Sequence, residues 1–139
     1  MIERFVEAQK EVYNCALKEI KSGRKLTHWM WFIFPQIKGL GLSMTSIFFS
    51  IKDVEEAKEY LKHPLLGQRL REISQALLEL NTDSPTEVFG SIDDIKLRSC
   101  MTLFDVINPK SVFDKVLMKF FGGERDEKTL KILPDQKIQ

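Results

Sequence analysis

The sequence predicts an all-α protein, a compact single-domain bundle of about seven short helices. Three observations lead there. Apolar residues recur at three- and four-residue steps in one segment after another, the spacing that lines one face of a helix. Ser, Thr or Asp precedes most of these segments and Gly or Pro follows them, as helix starts and stops do. No stretch shows the period-two alternation of a half-buried strand. The chain has 139 residues, 43% of them hydrophobic and 29% charged, which suits one soluble globular domain. Residues 1–133 form that domain in this reading, and 134–139 read as a loose C-terminal tail.

The first element is an amphipathic helix through Ile2, Phe5, Val6, Gln9, Tyr13, Ala16, Leu17 and Ile20. Gly23 stops it, because glycine accepts the positive φ found just past a helix end. Arg24 and Lys25 follow in a short basic loop. Thr27 is the expected cap of a second helix that carries His28 to Phe34 and ends at Pro35. That run is apolar nearly all round and also fits a buried strand; helix is favoured because no neighbouring segment alternates like a partner strand. From Trp29 to Ile51 the only charge is Lys38, and six aromatics lie there, so the stretch reads as a central buried segment. Pro35, Gly39 and Gly41 interrupt it too often for the roughly 18 continuous apolar residues of a membrane span.

Asp53 opens a helix through Val54, Ala57, Tyr60 and Leu61. His63-Pro64 starts the next, with Leu66, Leu70, Ile73, Leu77 and Leu80 on its inner face. Ser84-Pro85-Thr86-Glu87 is a capping box for a single turn ending near Gly90. Ser91-Ile92-Asp93-Asp94 opens a longer helix that Asn108-Pro109 ends. Its second half, with Leu103, Phe104 and Val106, is apolar on almost every side, the mark of the most buried helix. Ser111 is the expected cap of a helix through Val112 to Phe121, stopped by Gly122-Gly123. Asp126 caps the last one, through Leu130 and Leu133.

Lys and Arg number 21 and Asp and Glu 20, a net charge of +1, so no global field draws in nucleic acid or an anionic membrane. Nucleic acid is therefore an unlikely partner and a membrane is not expected. Cys15 and Cys100, each within an apolar pattern, read as buried reduced thiols. They have no Cys or His at metal-ligand spacing, and no metal or cofactor is expected. There is no phosphate-binding G-x-x-x-x-G-K-[ST] loop, and Gly39-Leu40-Gly41 lacks the third glycine of a dinucleotide fingerprint. The N-terminus mixes acids and bases from its start, unlike a secretory leader, so the expected location is cytoplasmic.

The residues with chemistry fall in two places. Arg24, Lys25, His28, Trp29 and Trp31, followed by Gln36, put a cationic loop beside aromatic rings. A guanidinium fits phosphate or carboxylate, an imidazole moves a proton near neutral pH, and an indole face stacks on a flat ring. Asp94, Lys96, Arg98 and Ser99 lie on the central helix. An arginine there needs an anion, either Asp94 one turn away or a ligand. His28 is the candidate catalytic acid or base and Asp94 the runner-up. The other eight are candidate ligand-binding residues: Arg24, Lys25, Trp29, Trp31, Gln36, Lys96, Arg98 and Ser99. At least three of Arg24, His28, Gln36 and Arg98 are expected on one concave surface. Each also has a plain structural reading: solvated charges, core indoles, and hydroxyls of Ser99 and Thr102 bonded to the preceding helical turn.

The runs Gly23-Arg24-Lys25, His28 to Gln36 and Gly39-Leu40-Gly41 with Ser43 form an unusual signature. With them go Tyr60-Leu61, His63-Pro64, Leu66-Gly67 and Phe89-Gly90-Ser91, then Asp93-Asp94, Lys96 to Ser99 and Met101 to Phe104. Together they resemble a domain-of-unknown-function family, number 1810, over nearly the whole chain. The resemblance implies a small, mainly helical protein and no particular activity. From the residues, the first functional reading is a domain that binds a small anionic, nucleotide-like ligand, with hydrolase or transferase chemistry open. The alternative is a protein–protein interaction module using the aromatic Trp29–Phe49 segment.

Overall fold

The computed structural model describes residues 1–133; the expected tail lies outside the described residues. Among the described residues, helical periodicity becomes ten helices: α1 (Glu3–Gln9), α2 (Tyr13–Lys21), α3 (Met30–Ile33), α4 (Met44–Phe48), α5 (Val54–Lys62), α6 (Leu66–Leu78), α7 (Pro85–Phe89), α8 (Asp93–Ile107), α9 (Val112–Phe121) and α10 (Glu127–Ile132). The described residues contain no strand, and one isolated parallel bridge joins Ile37 to Ile51. The all-α class holds, with more and shorter helices than expected.

α8 is the central element. It packs against α5, α7, α9 and α10, while α6 packs against α2, α5 and α9. Leu97, Cys100, Met101, Leu103 and Phe104 are fully buried, and Val106 at its far end is half-buried. Removing that apolar surface from water is the main stabilising term. α5 meets α6 so closely that a Cβ on Gly67 would sit 2.1 Å from the Leu61 carbonyl oxygen. Gly67→Ala should therefore cost about 1–3 kcal/mol, the usual penalty for overpacking, measured by urea unfolding.

Several ends are set as the sequence indicates. The side chains of Asp53, Ser84 and Asp126 accept from the N–H groups of Glu56, Glu87 and Thr129, occupying donors the helix leaves free. His63 Nδ1 accepts from the N–H groups of Leu65 and Leu66 ahead of α6. Gly90, Gly122 and Gly123 take positive φ where their helices stop.

Other ends depart from expectation. The predicted first helix breaks between Gln9 and Tyr13. The buried Gln9 amide donates to the Phe32 carbonyl and to Tyr60, and Tyr13 reaches α6 through the Arg69 carbonyl and Glu72. The two halves answer to different neighbours, so a straight helix could not serve both. Thr27 caps nothing; its N–H and hydroxyl go to Glu19, and α3 starts only at Met30. Ser91 and Ser111 also provide no side-chain cap, and Ser111 Oγ donates to the Asn108 carbonyl instead. The Trp29–Ile51 segment is buried only in part. Trp29, Met30, Ile33, Phe34 and Ile37 are core, whereas Leu42, Met44, Ile47 and Phe48 are exposed. Cys100 is buried, but Cys15 is exposed, contrary to expectation.

Candidate functional site

The basic loop is shaped by one carboxylate. Glu19, near the end of α2, accepts from the N–H groups of Leu26 and Thr27, the Thr27 hydroxyl and the Trp29 indole N–H, at 2.6–3.0 Å. Cys15 Sγ adds a longer contact at 3.3 Å. Burial by itself would raise the Glu19 pKa, but these donors outweigh it and hold the group down to about 2. The carboxylate fixes the course of residues 24–29 and plants Trp29 in the core.

Lys25 leaves that loop toward α8. Its ammonium lies 3.0 Å from one Asp93 oxygen, donates to the Thr27 carbonyl at 2.6 Å, and stands 5.0 Å from the Trp29 ring centre. One turn along α8, Lys96 reaches the other Asp93 oxygen at 3.3 Å and lies 5.1 Å from the Trp31 ring centre. One carboxylate thus holds two ammoniums. Trp31 is half-buried, with Lys96 over its ring. Trp31 also lines a cavity of about 10 Å³ with Gln36, Leu40, Gly41 and Ser46, room for about one water molecule.

Of the sequence candidates, Lys25, Trp31, Gln36 and Lys96 belong to this connected surface. The others lie elsewhere or are committed. Trp29 is fully buried and bonded to Glu19, so its ring offers no face to a ligand. Ser99 is buried and its hydroxyl donates to the Ile95 carbonyl. Asp94 does not pair with Arg98; it accepts from the Thr86 hydroxyl at 2.6 Å and from the Ile95 N–H. Arg98 instead pairs loosely with Glu124 at 3.5 Å, over the Phe121 ring, in a cleft of about 730 Å³ between α8 and α10. Arg24 lines another depression beside α7, with Thr86 and Gly90. His28 is exposed, and among the described residues its side chain makes no hydrogen bond that would orient it.

Arg24, Gln36 and Arg98 therefore line three different depressions rather than one. The anion expected for Arg98 was Asp94 or a ligand; the structure supplies Glu124 instead, with the Arg98 side chain 29% exposed. Two groups that shape the site were not among the ten candidate catalytic and ligand-binding residues. Asp93 had a local signal, its three-residue spacing to Lys96. Glu19 had none, since its partners begin seven residues downstream in a loop.

A family model described as "Protein of unknown function (DUF1810)" matches residues 1–133. The chain belongs to this family. The DUF1810 chain is also similar to a solved structure titled "Crystal structure of the conserved hypothetical protein Rv1873 from Mycobacterium tuberculosis at 1.38 A". The two are 42% identical, 96% of each chain is covered, and the TM-score is 0.93. No curated protein matches. No helix of the described residues is long and apolar enough to cross a membrane.

Proposed function

We propose that this protein binds a small anionic ligand carrying a flat ring, at the surface formed by Trp31, Lys96 and Lys25. The observation that supports it is the sharing of Asp93 by two lysines beside a half-exposed indole. A lysine paired only with its own aspartate needs nothing more. Two ammoniums on one carboxylate are under-neutralised, and an incoming phosphate or carboxylate completes the set. Lys96, over one face of Trp31, marks where the ligand's charge sits, and the exposed part of the indole that Lys96 leaves uncovered accepts its ring. A nucleotide-like molecule has both features. Asp94 is taken up by the Thr86 hydroxyl and the Ile95 N–H, and nothing orients His28 among the described residues, so the proposal is of binding and assigns no reaction.

The test is a thermal-shift screen of the full chain against nucleotides, sugar phosphates and ADP-ribose derivatives. At least one compound should raise the melting temperature, because a ligand specific for the folded state stabilises it. Lys96→Ala and Trp31→Ala should each weaken that compound's binding at least about tenfold, a loss of about 1.4 kcal/mol. Binding should weaken as salt rises, moderately because the lysines are partly buried. A panel with no hit, or variants that bind the hit unchanged, would refute the reading.

A further inference from the structure

The segment between Ile37 and Ile51 is a closed loop. The Lys38 N–H donates to the Ile51 carbonyl at 2.8 Å, and the Ile51 N–H donates to the Gln36 carbonyl at 2.7 Å. Arg4, held by Glu56 at 3.0 Å, donates to the carbonyls of Phe48 and Ser50 from outside. Within the loop, the Ser43 hydroxyl accepts from the Ser46 N–H to start α4. Gly41 packs on Ser46 so tightly that a Cβ there would lie 2.5 Å from the serine Cβ. The loop is therefore held in shape at its base, along one side and inside.

What it holds out is apolar. Leu42 is 93% exposed, Met44 88%, Phe48 58% and Ile47 52%. These four side chains present roughly 600 Å² to solvent, the upper end of what a monomer shows in one patch. A preorganised apolar tip loses little entropy on docking, which favours a permanent partner.

We infer that this tip is the contact between two copies of the chain, related by a two-fold axis. Two points select a second copy over another occupant. A two-fold contact brings each residue near its own equivalent, so like charges on the patch would oppose it. Residues 39–51 contain no charged side chain at all. Fully covered, two such patches bury about 1,200 Å², the lower end of the range for stable specific interfaces. The tip carries Leu40, Gly41, Ser46 and Phe49, which line the cavity beside Trp31 and Gln36, so pairing would brace that wall. The inference does not depend on the proposed ligand.

Sedimentation velocity of the full chain, from a few micromolar to a few hundred micromolar, tests it. The expected species is a dimer of two 16.2 kDa chains. Leu42→Asp with Met44→Asp should raise the dissociation constant at least 100-fold and leave the melt equal to that of the wild-type chain diluted until it dissociates, because both side chains project into solvent in the single chain. If the double variant melts early, Leu42→Ser alone should still weaken the dimer at least tenfold. Ile92→Asp, at an exposed isoleucine on the α7–α8 connection, should leave the dimer intact. A wild-type monomer throughout, dimers that survive the Leu42 and Met44 changes, or equal loss with Ile92→Asp would each overturn the inference.

Discussion

Phe104→Ala should lower the unfolding free energy by about 3–5 kcal/mol, the range for deleting a fully buried ring. Phe104 has no exposed surface and lies 5.5 Å from the Tyr60 ring and 5.8 Å from the Phe113 ring, measured between centres. It therefore joins α5, α8 and α9 in one aromatic cluster. Three helices cannot all move in to fill the space, so most of the cavity should persist. Urea unfolding measures the effect as a lower midpoint with an unchanged slope. A loss under about 1 kcal/mol would mean that α8 is not the centre of the core.

Glu19→Gln should cost roughly 3 kcal/mol near neutral pH, and the cost should fade in acid. The folded pKa of about 2 lies below the ordinary 4.5, so the ionised group contributes stability that is fully present above about pH 4.5. That contribution declines as pH falls from there toward 2. A gap of this size corresponds to roughly 3 kcal/mol. Glutamine keeps one carbonyl oxygen but turns an N–H₂ toward donors that then lack an acceptor. Below about pH 2 the wild-type carboxyl is itself neutral, and the two proteins should converge. Glu56, whose pKa is also held low against burial by Arg4 and the Lys52 N–H, titrates in both proteins and cancels in the difference. Paired unfolding curves between pH 2 and 7 decide the matter. A pH-independent gap would show that Glu19 acts by shape and not by charge.

Helix identity was legible in the sequence because its causes are local. The spacing of Leu66, Leu70, Ile73 and Leu77 makes α6, and Ser84, Asp53 and Asp126 reach N–H groups three residues away. The burial of Leu103 and Phe104 was legible because an apolar surface all round a helix leaves no side for water. Family membership rested on runs of residues that also need no third dimension to be seen.

The tertiary structure decided everything that depends on meetings across the chain. Thr27 has the chemistry of a cap, yet a carboxylate eight residues earlier takes its donors. Arg98 and Asp94 have the spacing of a pair, yet Glu124 and Thr86 are their partners. Lys25 and Lys96 are 71 positions apart and meet on Asp93. The apolar run after Gly39 resembles the core-forming run before it in composition, yet the Ile37–Ile51 bridge and Arg4 hold its tip out in water. By itself the sequence determined which residues could be helical and which could be buried. Which charge meets which, and which apolar face is left uncovered, only packing decided, because both depend on distances between segments that no local pattern encodes.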